Sequence, residues 1–325
     1  MQFLIILILK KVLIEMSRVD RHSKQKTKRK WPKVIGTIFL VILLAIGGYA
    51  VYLYQSVAST VGKMHEDRGP SDKRTTQIDI SKKDPISILL MGVDERSGDK
   101  GRTDTLIMVT VNPNTNSMQM LSIPRDTRVE IVGRGTQDKI NHAYAFGGVD
   151  MTIDSVENFL DVPVDYYIKV NMEGLQQIVD ALGGVQVNST FAFSYDGASF
   201  SEGTQTLNGE EALKYARMRY DDPRGDFGRQ DRQKQVIQGI INKGASFSSV
   251  TKFDDILGAL GNNVTTDISF DEMKTIQANY KDARHNIEQF SIDGVGKTLD
   301  AWYWIVSEDE RQAVSSRLKK HLEIE

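Results

Sequence analysis

Ile86 to Val93 reads ISILLMGV, eight residues with no charge among them. Such a run, rich in β-formers, fits a strand covered on both faces, which lacks the apolar–polar alternation of a half-exposed one. Thr105–Val111 and Met118–Ile123 read as two more strands, joined by the turn-forming segment NPNTN at 112–116. Further along, short strands at Tyr166–Val170 and Val185–Val187 alternate with helical patterns over about 148–160 and 171–182, the second stopped by Gly183 and Gly184. Asn208–Tyr215, Asp226–Lys243 and three stretches near 250–260, 268–280 and 306–322 also read as helices. Strands interleaved with helices along the length argue for an α/β fold, an α/β/α sandwich rather than a bundle or barrel.

Toward the N-terminus, Val34 to Tyr54 reads VIGTIFLVILLAIGGYAVYLY, 21 residues without a charge. A bilayer core about 30 Å thick takes about 20 residues of helix, so one span fits. Trp31 stands at one end and Tyr49, Tyr52 and Tyr54 at the other, where amphipathic rings favour the interface. The preceding Arg18–Lys33 crowds Lys24, Lys26, Lys28, Arg29 and Lys30 together. Basic residues beside a span stay in the cytoplasm, which sets the N-terminus inside and everything after Tyr54 outside. Phe3 to Leu9 is apolar but too short to cross and precedes no cleavage site; the expectation is that translation starts at Met16. Gln55 to about Asp84 is polar, mixed in charge and centred on Gly69, Pro70 and Ser71, and reads as a stalk.

The 325 residues are 40% hydrophobic and 26% charged, a globular balance that excludes a fibrous or fully disordered chain. Cysteine is absent, which excludes disulfide scaffolds, thiolate zinc sites, iron–sulfur clusters and cysteine nucleophiles. The net charge of −2 conceals a division: residues 1–54 hold 10 basic and 2 acidic residues, and the remaining 271 hold 31 and 41. A nucleic-acid backbone meets the wrong sign on the larger part, so no direct nucleic-acid partner is expected.

Residues 216–233, ARMRYDDPRGDFGRQDRQ, carry Arg217, Arg219, Arg224, Arg229 and Arg232 and no lysine. Arginine is favoured where a planar fork grips carboxylate or phosphate through two parallel hydrogen bonds. Arg217 and Arg219, two apart, share a face if the segment is extended. Arg229 and Gln233 continue through Val236 and Ile240 as one helical stripe, so the polar end of a core-facing stripe turns inward or rims a cleft. Two readings stand open: an anion site, or internal ion pairs with Asp221, Asp222, Asp226 and Asp231. Upstream, Asp94, Glu95 and Arg96 follow the first strand, Arg102 and Asp104 directly precede the next, and Arg125 and Asp126 follow the third. Carboxylates at strand ends suit Mg²⁺, and ligands of open α/β sheets favour such a rim. SIDGVGKT at 291–298 departs from a phosphate-binding loop at Ser291 and has no clear strand before it. His142 reads as a structural helix histidine, and no serine-hydrolase or zinc-protease motif occurs.

The motifs GVDERS (92–97), GRTDTLIMVTVNP (101–113), SIPRDTRV (122–129), KINHAYAFGG (139–148) and LNGEEALKYARMRYDDPRGDFGRQDRQ (207–233) together resemble the LytR–CpsA–Psr family of membrane-anchored bacterial enzymes. The resemblance implies a central mixed sheet between helices, an α-β-α sandwich preceded by one transmembrane helix, with a hydrophobic pocket for a polyprenyl chain. It implies transfer of a phosphoglycopolymer, of teichoic acid or capsule type, from undecaprenyl pyrophosphate to a peptidoglycan hydroxyl. Carried onto these positions, it makes Arg125, Arg217, Arg219 and Arg229 a pyrophosphate clamp, assisted by Arg102 and Gln233. Lys139 and Asp226 complete the rim, and Asp94 and Asp104 hold Mg²⁺ (or Mn²⁺) or one of them activates the acceptor. The organisation expected is a basic cytoplasmic tail (1–33), a span (34–54), an extracytoplasmic stalk (55–84), a catalytic core (85–245) and a C-terminal helical part on the same domain (246–325). Competing readings are an indirect regulator of wall genes, a non-catalytic lipid-binding protein and a pyrophosphatase using water as acceptor.

Overall fold

A computed structural model describes residues 31–95, 101–245 and 253–324. The basic stretch ahead of Trp31, the Met16 start and Arg96 fall outside the described residues. The chain divides into two compact units, Met1–Tyr54 and Gln55–Glu325. Helix α1 (Trp31–Met64) supplies all that is described of the first, where side chains such as Ile35, Phe39 and Leu44 are exposed. It is long and apolar enough to cross a membrane, consistent with a single-pass anchor.

The second unit runs β1 (Ile86–Val93), β2 (Thr103–Asn112), β3 (Ser117–Ser122), β4 (Arg128–Ile131), β5 (Thr136–Lys139), α2 (His142–Leu160), β6 (Tyr166–Asn171) and α3 (Met172–Ala181). It continues through β7 (Val185–Ser189), β8 (Phe193–Tyr195), β9 (Ala198–Phe200), β10 (Gly203–Leu207), α4 (Gly209–Arg217), α5 (Asp226–Ala245) and α6 (Phe253–Asn263). β11 (Val264–Thr266), α7 (Phe270–Tyr280), β12 (Ile287–Ser291), β13 (Val295–Thr298), β14 (Trp302–Ile305) and α8 (Glu308–His321) complete it.

Six strands form a mixed sheet in the order β11-β6-β1-β2-β3-β12. β2 is antiparallel to β1 and β3, whereas β6 and β12 run parallel to their neighbours β1 and β3. Leu89, Met91, Leu106, Met108 and Leu121 pack with Ile153, Val156 and Leu318 on one face. Ile86, Val109, Val111 and Met120 belong to a second cluster with Ile268 and Tyr280. Burial on both faces is why β1 shows no alternation. The α-β-α architecture with a central mixed sheet is as expected.

Four expectations change in detail. Helix α2 starts at His142 rather than near 148, because Gly148 (φ 70°, ψ −147°) interrupts it and hides the first turns from a periodicity search. The stretch read as a stalk is built into the large unit: α1 continues to Met64, which is buried, and Arg74 forks onto Asp165 at 2.7 and 2.6 Å. The region after 245, read as helical, also supplies both edge strands of the sheet, β11 and β12, and a hairpin, β13–β14. Strand β12 does lead into the 291–298 motif at Ser291, but the second half of the motif is strand β13 and not the start of a helix, so no phosphate loop forms there.

Between α4 and α5 the chain is pinned by Arg232, which is buried, donates to the Tyr215 and Met218 carbonyls and pairs with buried Asp222. Removing one partner strands the other charge in low dielectric. Arg232→Ala is expected to lose about 3–5 kcal/mol in urea unfolding; an unchanged midpoint contradicts this pinning. Asp267, after β11, accepts the Tyr167 N–H at 2.8 Å, and burial pushes its carboxyl up to about 6. The unfolded carboxyl releases its proton at lower pH, so stability falls as pH rises from about 4 to about 6 and stays reduced above. Asp267→Asn, which keeps the acceptor oxygen, is expected to gain about 3 kcal/mol at pH 7 and none at pH 3. Equal stability of the two proteins at pH 7 refutes it.

Candidate active site

A register shift at Gly92/Val93 sets Gly92 opposite Thr105 and Val93 opposite Thr103, leaving Asp104 as the extra residue of a bulge. The Asp94 N–H donates to the Arg102 carbonyl at 3.2 Å, so the ends of β1 and β2 present Asp94 and Asp104 at one edge. Past β3, the Arg125 guanidinium donates to Asp104, and its Nε lies 3.8 Å from Asp126. Lys139, ending β5, sets Nζ 2.7 Å from the other oxygen of Asp126.

A second wall comes from the arginine-rich segment. Helix α4 ends at Arg217, because Met218 (φ −56°, ψ 133°) leaves helical geometry. Arg217 is therefore helical rather than part of an extended Arg217–Arg219 pair, and its Nη2 reaches to 3.9 Å from Asp94. Arg219 Nε lies 3.7 Å from Asp226, which also pairs with Arg229 one turn into α5 and accepts from Gln230 at 3.0 Å. Arg224 pairs with Asp231 and Asp222, and Arg232 with Asp222, so these two arginines brace the loop instead of facing the site. The ion-pair reading holds for Arg224 and Arg232, while Arg219 and Arg229 share Asp226 at the edge of the cluster.

The charges are close enough to feel one another. Burial lowers the Arg229 guanidinium below its ordinary value; Arg125 and Arg219 add to the effect, and Asp226 and Asp104 oppose it. Arg125 is also penalised by burial, but Asp104, with Asp126 and Asp226, offsets this and raises it. Arg125, Arg219 and Arg229 thus converge on one place. The Nε atoms of Arg125 and Arg229 are buried and make no hydrogen bond, donors that an anion between them would satisfy.

Behind the arginines lies a cavity of about 410 Å³ between the sheet and the helices. Ile88, Leu90, Val109, Met120 and Ile168 form its sheet wall, and Leu175, Ile178, Val236, Ile240 and Leu260 its helical wall. Gly92, Thr105, Arg217 and Gln233 are its link to the charged edge. A Cβ on Gly92 would meet the Thr105 side chain at 3.0 Å, so glycine gives the strand room there. Periodicity cannot distinguish such a lining from ordinary core, and the cavity was not legible in the sequence.

Arg102 is exposed, and among the described residues no ion pair joins it to the cluster. His142 Nδ1 donates to the Asp138 carboxylate at 2.8 Å, a structural role. Tyr144 and Lys169, to which sequence reasoning gave no role, also gather here, beside Asp126 and Glu95 of the clusters it named. Asp126 bridges Arg125 and Lys139; Lys169 Nζ lies 3.2 Å from the Tyr144 hydroxyl and 3.6 Å from Glu95, beside Asp94. Asp126 stood within the SIPRDTRV motif and Tyr144 within KINHAYAFGG, whereas Lys169 carried no signal.

Comparison with known proteins follows this geometry. The chain is 57% identical over 304 residues to the polyisoprenyl-teichoic acid–peptidoglycan teichoic acid transferase TagU of Bacillus subtilis strain 168, covering 93% of this chain and 99% of that one. TagU of Bacillus licheniformis is 54% identical, with the same coverage. The crystal structure of B. subtilis TagU superposes with a TM-score of 0.62 over 74% of this chain and 97% of its own. A structure of TagT bound to LIIa-WTA, 32% identical, superposes at 0.68 over 80% of this chain and all of that one. The LytR_cpsA_psr family model matches residues 51–320, from the last turns of α1 through the sheet, the arginine cluster and nearly all of α8. The chain belongs to the LytR–CpsA–Psr family.

Proposed function

We propose that the chain transfers a teichoic-acid-type phosphoglycopolymer from undecaprenyl pyrophosphate to a hydroxyl of peptidoglycan. The observation that carries this is the pairing of three convergent guanidiniums, two with unused buried donors, with an adjoining apolar cavity. A diphosphate suits the first and a prenyl chain the second. The transferase names of relatives with more than half their residues in common support the same reading.

In this reading Arg125, Arg219 and Arg229 neutralise the diphosphate oxygens, while Arg217 and Gln233 guard the mouth through which the prenyl chain enters the cavity. The acceptor oxygen attacks the phosphorus nearer the sugar, the bridging P–O bond breaks, and prenyl phosphate leaves. The acceptor proton passes to a carboxylate at the edge, Asp94 or Asp104. Fixed positive charge acts where the transferring phosphoryl gathers negative charge, which is most of what such a reaction requires. Asp94 and Asp104 also fit as ligands for Mg²⁺, because that ion commonly uses one or two carboxylates and completes its shell with water and substrate phosphate. When bound, Mg²⁺ supplies further neutralisation of the phosphate oxygens.

We further infer that the basic tail holds the N-terminus in the cytoplasm and that the large unit faces the wall, where both substrates meet. Protease added to intact protoplasts is expected to digest the large unit; protection overturns that orientation.

With a lipid-pyrophosphate glycan, Mg²⁺ and peptidoglycan oligomers, Arg125→Ala and Arg219→Ala are each expected to lower kcat by about 10²–10³ with melting temperature unchanged. Chelation of the divalent ion is expected to stop product formation in the unaltered protein. Full activity in both variants contradicts the clamp. Release of polymer to water at the same rate without peptidoglycan contradicts the transferase and leaves a pyrophosphatase.

A further inference from the structure

We propose that the β13–β14 hairpin is a docking platform for the glycan strand of the acceptor, set beside the arginine cluster on the side away from the apolar cavity. The inference rests on the transferase reading above and deepens it. Trp302 and Trp304 alternate onto one face of β14, with ring centroids 6.5 Å apart. The Trp304 ring also stands edge-on to Phe227 at 5.0 Å, directly after Asp226, and the Trp304 backbone N–H donates to the Asp126 carbonyl at 2.9 Å. The platform thus meets the cluster's segments at the Asp126 backbone and at the Phe227 ring.

The facing strand is shaped for those rings. A Cβ on Gly296 would lie 2.9 Å from the Trp302 ring, and one on Gly294 would lie 2.7 Å from Nε1 of Trp304. Bare backbone lets both indoles lie against β13, a cross-strand pairing that holds them in place. Tyr303 points the opposite way, is buried, and has Arg128 and Lys139 over its ring at 5.7 and 6.0 Å. One face roots the hairpin in the domain and the other stays open, with Trp302 42% exposed and Leu299, at the turn, 45% exposed.

An open apolar patch beside a reaction centre calls for an occupant. Sugar rings present C–H faces that stack on the electron-rich faces of indoles while their hydroxyls stay in water. The large unit carries 31 basic and 41 acidic residues, and Asp293 and Asp300 flank β13 in sequence, so a polyanionic polymer is disfavoured and an uncharged glycan backbone fits. Position argues likewise. The cavity reaches the cluster at Arg217 and Gln233, whereas the hairpin meets it at Asp126 and Phe227. In-line attack brings the acceptor to the phosphorus from the side opposite the departing prenyl phosphate.

The test uses the full chain in detergent and sacculi stripped of teichoic acid, read by co-sedimentation without donor. Trp302→Ala is expected to weaken binding about fivefold, the strength of one aromatic stacking contact, and Trp302→Tyr to restore most of it. In the transfer assay the KM for peptidoglycan rises with the KM for the lipid donor unchanged. Leu299→Asp at the exposed tip carries the same expectation should Trp302→Ala unfold. Unchanged sacculus binding by folded variants overturns the platform, as does a rise confined to the donor KM or an effect confined to self-association. Sacculus binding through Trp302 by a protein that transfers nothing supports the platform and refutes the transferase reading alone.

Discussion

The structure depends on holding several like-charged guanidiniums within reach of one another. Two unit charges about 4 Å apart repel by about 4 kcal/mol even at an effective dielectric of 20, so the arrangement needs carboxylates placed between the cations. Asp104 does this for Arg125, Asp226 for Arg219 and Arg229, and Asp126 for Lys139. The aspartates keep the arginines folded in and poised, and an arriving diphosphate can take over part of their role. Charge set in advance, before the reaction starts, avoids reorganisation at the moment of transfer.

The fold makes that cluster possible by treating the two faces of one sheet differently. One face is filled by Leu89, Met91, Leu106 and Met108 against α2 and α8. On the other, Ile88, Leu90 and Ile168 line a cavity instead of closing onto the helices. Both faces are apolar, so the same hydrophobic effect that stabilises the sheet keeps a ready environment for a hydrocarbon chain. The bulge at Gly92/Val93 then turns the end of the strand pair toward the arginines.

What the sequence revealed and what it hid follow from how local each feature is. β1, α3, α4 and α5 are set by runs, caps and glycine stops within a few residues, and their bounds were readable to within about three positions. Arg125, Arg219 and Arg229 were legible because lysine is missing among so many arginines and because three Arg/Asp groups end successive elements. Arg232 belongs to the same run yet braces the loop, and only coordinates separate it from Arg229. Lys169 and Tyr144 come together from β6 and α2; Tyr144 stood in a quoted motif, but nothing in either segment told of their meeting. The β13–β14 hairpin is hidden for a related reason, since Gly294 and Gly296 gain meaning only from rings across the strand pair.

The most direct measurement is a crystal structure of the chain soaked with a polyprenyl diphosphate and Mn²⁺ in place of Mg²⁺. The account predicts phosphate oxygens within hydrogen-bond distance of the Arg125 and Arg229 Nε atoms, a prenyl chain inside the cavity, and an anomalous peak at Asp94 and Asp104. Guanidiniums still closed on Asp104 and Asp226, with the ligand bound elsewhere and the cavity without lipid density, would contradict it.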